Sequence, residues 1–146
     1  MKDEVIQALE GQVSCYRRLV KLAELQHGHV QQNQTEALLD VLRNRQVLLD
    51  EIMQHERIVG PVKRGWNDFV EGIEAGERTR AESLLTETRT LLQEIMNADQ
   101  NDAMVLQQRK LNLGKQINQA SAAKQVNKNY AAAAYGNRAS RMDVQR

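Results

Sequence analysis

Ile6, Leu9, Val13, Tyr16, Val20, Ala23, His27 and Val30 recur at alternating steps of three and four. No other feature constrains this chain as tightly, because that spacing lays one apolar stripe along a rod that must bury it against another element. Cys15, Leu19 and Leu22 widen the stripe on one side. A helix from about Asp3 to Gln31 is roughly 43 Å long at ~1.5 Å per residue. That exceeds an average globular helix, so the stripe predicts a long hairpin.

The next residues supply the return strand of that hairpin as a second helix. Asn33–Gln34–Thr35 breaks the first period, with Thr35 as the expected N-cap. Leu38, Leu42, Leu49, Ile52 and Val59 form the second stripe, flanked by Val41 and Leu48. Arg45 and Glu56 stand where apolar residues are expected. Gly60–Pro61 is expected to end this helix, since proline lacks the amide and restricts its predecessor. Trp66, Phe69 and Ile73 share a face of a short helix weakened by Gly65, Gly72 and Gly76, with a bend near Ala75–Gly76–Glu77. From about Arg78 a long stripe runs through Ala81, Leu85, Thr88, Leu92, Ile95, Asp99, Ala103, Leu106, Lys110, Leu113, Ile117 and Ala120. Its polar middle, Asn97 to Asp102, reads as either a hinge or a loop. Trp66 and Phe69 read either as a cap on the bundle's end or as anchors for a partner.

Alternating β-branched runs bounded by turns are absent, and no fixed-length repeat recurs. The expected fold is all-α: an elongated antiparallel three-helix bundle or coiled coil, with a short extra helix and a flexible basic C-terminal tail. The apolar period fades after Ala120, which divides the chain into a bundle domain, 1–120, and a recognition tail, 121–146. The mean hydropathy of −0.61 and the lack of any long apolar run exclude a membrane span. The first residues lead into a mixed-charge helix without a signal-peptide pattern, so a soluble cytoplasmic protein is expected.

The net charge of +1 conceals a division. Residues 1–114 carry 14 Lys/Arg against 18 Asp/Glu, and residues 115–146 carry 6 against 1. An acidic body with a basic tail often meets another macromolecule through the tail, although a merely solvated terminus has the same composition.

Catalytic and metal chemistry find little support. His27 and His29 are two apart and point to different faces, His55 stands alone, and one cysteine with three scattered histidines fits no ligand spacing. No metal, cofactor or catalytic residue is expected, and the chain does not read as an enzyme. Cys15 has Arg17 and Arg18 beside it, which favour the thiolate, but a buried thiol at the seam's edge is the stronger reading. Nucleic acid is disfavoured as a partner: the six cations of residues 115–146 are dispersed, and the acidic body repels phosphate, even though Tyr130 and Tyr135 offer stacking rings.

Protein recognition remains. Met104, Val105, Leu106, Leu111, Leu113 and Ile117 give the last helix apolar residues to offer an amphipathic partner, although Leu106, Leu113 and Ile117 equally suit the bundle core. The tail combines low hydrophobicity with Tyr130 and Tyr135, and its Ala131 to Ala134 run has high helix propensity without a core of its own. It is expected to become helical on docking.

The residues also resemble a known family. Tyr16–Arg17–Arg18–Leu19–Val20–Lys21–Leu22–Ala23–Glu24, Arg45–Gln46–Val47–Leu48–Leu49–Asp50–Glu51–Ile52 and the tail's Tyr135 with Ser140–Arg141–Met142–Asp143 are similar, in order, to segments of FlgN-type flagellar export chaperones. Met142 departs from the aromatic or isoleucine expected there. The resemblance implies a cytoplasmic chaperone of the flagellar type III secretion system. Its clients would be hook-associated (hook–filament junction) proteins, whose C-terminal helices it would shelter and deliver to the export gate. The client-binding residues are then expected at Met104, Leu106, Leu111, Leu113 and Ile117. The export-gate contacts are expected at Tyr130, Tyr135, Arg138 and Arg141. The alternative is a structural coiled-coil module that self-associates through the same stripes, and a homo-oligomer is compatible with either reading.

Overall fold

The structure is a computed structural model that describes residues 1–135, with side chains through Asn129. It is all-α. Among the described residues there are four helices and no strand: α1 (Lys2–Gln31), α2 (Thr35–Arg64), α3 (Trp66–Glu71) and α4 (Ala75–Tyr135). The chain divides into two compact units, Met1–Asp102 and Ala103–Arg146, where the fading apolar period alone places the division at 120.

The first unit is a helical bundle. Cross-helix contacts show its directions. Gln12 meets Glu56, Cys15 meets Glu51 and Gln26 meets Arg45, so numbers fall along α2 as they rise along α1: the two run antiparallel. Lys2 pairs with Glu77, Arg17 with Glu87 and Gln26 with Asp99, so numbers rise together and α4 runs parallel to α1. Two apolar clusters fill the interior. Val5, Ala8, Leu9 and Val13 pack with Val59, Val62, Ala81 and Leu84 at one end. Farther along, Cys15 and Leu19 pack with Leu48, Ile52 and Ile95. Trp66 and Phe69 lie against the first cluster with ring centroids 5.5 Å apart, half-buried, as a cap on the bundle's end requires.

The turns differ from the sequence reading in two places. Between α1 and α2 the closing device is Asn33, not Thr35. Asn33 has φ 56°, a left-handed conformation that asparagine tolerates, and the Gln34 amide donates back to the His29 carbonyl at 2.9 Å. Gln34 therefore takes the N-cap position, with no side-chain cap, and Thr35 is already helical. The second difference is Pro61, which does not end α2; the helix runs through it to Arg64. An interior proline costs about 3 kcal/mol. Here the buried Val59 and Val62 on either side hold the helix to the core, and Gly60 has no Cβ to clash with the proline ring.

Gly11 permits a close approach between α1 and α2: a Cβ there would lie 2.5 Å from the His55 imidazole. Replacing a helical glycine by alanine normally gains about 1 kcal/mol. Gly11→Ala should therefore show that gain in urea unfolding only in a His55→Ala background, and lose it where the ring must swing aside. An equal gain in both backgrounds would contradict the contact.

The Asn97–Asp102 stretch is not a loop: it is helical within α4. Residues 121–135, which the sequence assigns to a tail awaiting a partner, are also helical. A helix already propagating needs no new nucleus, and the Ala- and Lys-rich sequence extends it readily. None of the described helices is long and apolar enough to cross a membrane.

Candidate functional site

The interruptions of the apolar seams answer one another inside the first unit. Arg45 interrupts the α2 stripe and Asp99 the α4 stripe, and the two form a two-point ion pair: Nη1 to Oδ1 and Nη2 to Oδ2, both 2.7 Å. Gln26 joins them, accepting from Arg45 Nη1 at 2.5 Å and donating to Asp102 Oδ2 at 3.0 Å. His27, on the α1 seam, sits with Nδ1 2.9 Å from Asp102 Oδ1. Asp102 is 1% exposed, so nearly all its hydrogen bonding is met within this layer. Hydrogen bonding to Asp99 holds the Arg45 guanidinium above its ordinary pKa, against the opposing effect of burial. A polar layer across an apolar bundle admits one register among the helices, since sliding any of them strands a charge.

Cys15 lies in the second apolar cluster, 3% exposed, with Sγ 3.3 Å from Glu51 Oε2. Burial, then the Glu51 hydrogen bond and charge, push its thiol up to about 11, and Arg18 opposes this only weakly. This is an inert packed thiol. A shift from 9.0 to about 11 lowers the thiolate fraction near pH 8 by about 100-fold. Alkylation of the native protein should be slower by at least that factor than in denaturant, rising with pH until about 11. Equal rates in the two states would show that the thiol is accessible. The remaining histidines are also accounted for: His29 Nδ1 lies 2.8 Å from Gln34 Oε1, and His55 packs on Gly11. Among the described residues no cluster of three His, Cys, Asp or Glu is placed to hold a metal.

The second unit carries the surface that the sequence assigns to a client. Over 103–135 it is helix, and its apolar residues are exposed: Met104 by 65%, Leu106 by 43%, Leu111 by 52%, Leu113 by 58% and Ile117 by 52%. The helix does not bring all five together. At about 3.6 residues per turn, Leu106, Leu113 and Ile117 fall on one face with Lys110, Ala120 and Lys124, whereas Met104 and Leu111 fall on the opposite face. Val105 lies between the two, half-buried. Tyr130 and Tyr135 belong to the helix, but their side chains lie outside the described ones, and Arg138 and Arg141 lie outside the described residues altogether.

The sequence marks Arg45 as a break in the α2 stripe but carries Asp99 within the α4 stripe, and it pairs neither with the other. The signal was present, because opposite charges at seam positions of two helices are a sign of a buried pair. Gln26 and Asp102 carried no such mark, since each sits beside its stripe. No family model, curated protein or solved structure matches this chain.

Proposed function

We propose that the chain is a protein-recognition module that acts as an export chaperone of the FlgN type. In this reading the Leu106–Leu113–Ile117 face of α4 takes the amphipathic C-terminal helix of a hook–filament junction protein. The observation that carries this is the exposure of that face along a helix whose described residues from 103 on contribute to neither apolar cluster. An amphipathic helix read at i, i+4 and i+7 is a recurrent mode of peptide capture. Burying the three side chains would keep an aggregation-prone client segment in solution. The resemblance of the three quoted segments supplies the client class, the cytoplasmic location and the export gate as the second partner. The gate would be met by Tyr130, Tyr135, Arg138 and Arg141, leaving the client face occupied during delivery. Binding itself needs no nucleotide or cofactor.

Calorimetric titration of the full chain with the C-terminal segment of a junction protein tests this reading. A saturable 1:1 complex is expected, with the negative heat-capacity change of apolar burial. Absence of binding at high micromolar concentration, with the chain folded by circular dichroism, would refute the chaperone reading.

A further inference from the structure

The first unit has a groove of about 380 Å³ between α1 and α4. Val20, Ala23, Ile95 and Ala98 form its apolar lining, and Glu24 and Glu94 add a carboxylate from each helix. Both glutamates are exposed, and neither is held in an ion pair among the described residues. A groove of this size takes side chains projecting from a helix laid along it. Its chemistry asks for aliphatic side chains accompanied by cations.

This chain contains such a helix. Residues 103–135 carry Arg109, Lys110, Lys115, Lys124 and Lys128 and no carboxylate. Lys110 and Lys124 share the face of Leu106, Leu113 and Ile117. The two units are opposite in net charge: residues 1–102 hold 12 Lys/Arg against 18 Asp/Glu, a net of −6, and residues 103–146 hold 8 against 1, a net of +7.

From this match of apolar lining and charge we infer that the α1–α4 groove of one copy receives the Leu113–Ile117 face of α4 from a second copy. The contact is reciprocal, so a two-fold dimer closes with each groove filled and each stripe covered. Insofar as the same stripe belongs to a client, which rests on the function proposed above, the sister groove shields it until a client competes. The attraction is partly electrostatic and so weakens as salt shortens the screening length.

Charge reversal in full-length chains tests the inference. Light scattering of the parent should give twice the 16.6 kDa chain mass at about 100 µM and lower mass on dilution or in high salt. Glu24→Lys with Glu94→Lys, and separately Lys110→Glu with Lys124→Glu, should each raise the dissociation constant at least tenfold. Mixing the two variants restores opposite charges at both contacts and should restore a dimer of parental affinity. Circular dichroism on each variant keeps loss of fold distinguishable from loss of contact. A parent that stays monomeric, variants that dimerise as the parent does, or folded variants that fail to pair when mixed would each overturn the inference. A monomeric parent whose groove variant loses client affinity would give the groove to the client instead. Client binding by the diluted monomer is scored separately, so failure of either proposal leaves the other standing.

Discussion

Replacing Leu106, Leu113 and Ile117 together by glutamine should weaken capture of a junction-protein helix by about a thousandfold. Each side chain is roughly half exposed in the free chain. Covering the remaining surface of a Leu or Ile contributes about 1.5 kcal/mol, so three lose ~4–5 kcal/mol. Every ~1.4 kcal/mol is tenfold in affinity. Glutamine is a good helix former, so helicity should be retained and the loss assigned to the surface alone. The opposite face provides the control: Met104→Gln with Leu111→Gln should change affinity by less than about tenfold, because those side chains point away from the docked client. If the triple variant binds as tightly as the parent, or the control loses as much, the assigned face is wrong.

Arg45→Ala should destabilise the first unit by about 2–4 kcal/mol in urea unfolding. Truncating one partner of a buried pair costs about 3–5 kcal/mol, because the other is left charged and unpaired. Arg45 is well covered, with 13% of its side chain exposed, but Asp99 keeps 38%, and solvent there softens the loss. Gln26 would lose its strongest donor as well, since Arg45 Nη1 reaches its carbonyl oxygen. The double variant Arg45→Met with Asp99→Leu should recover most of that stability, since apolar side chains of similar volume often replace a buried pair without loss. Recovery in the double variant separates a pair kept for register from one that supplies net stability. A double variant as unstable as Arg45→Ala would show that the layer contributes stability directly.

The stripes were legible because burial imposes their period. Val5 to Val30 on α1, Val41 to Val62 on α2 and Ala81 to Ile95 on α4 contribute buried residues at that period, but Leu42, Leu49 and Leu92 of the stripes are exposed, and on α2 the flanking Val41 and Leu48 are buried instead. The all-α bundle follows from that spacing. What escaped the sequence were outcomes settled between helices. Pro61 reads as a stop because its local cost is visible, whereas the packing of Val59 and Val62 that overrides it is a tertiary term. Asn97–Asp102 reads as a break because it is polar, yet Asp99 and Asp102 face inward to partners more than fifty residues earlier in the chain. Single-helix periodicity could not pair Arg45, which stood out as an interruption, with Asp99, which was counted within its own stripe. For the candidate client surface the residues were legible but their faces were not. Calling Met104 and Leu111 part of one patch with Leu113 required a helix without defined phase; a continuous α4 fixes the phase and separates them.

A client sheltered on the face of α4 that carries Leu106, Leu113 and Ile117 would slow amide exchange there. Amide hydrogen exchange of the full chain, with and without a junction-protein C-terminal segment, reads that surface directly. Protection should rise across 103–120 on binding and stay unchanged along the buried core of α1. Protection gained elsewhere in the first unit with 103–120 unaltered, in a sample that demonstrably contains the complex, would contradict it.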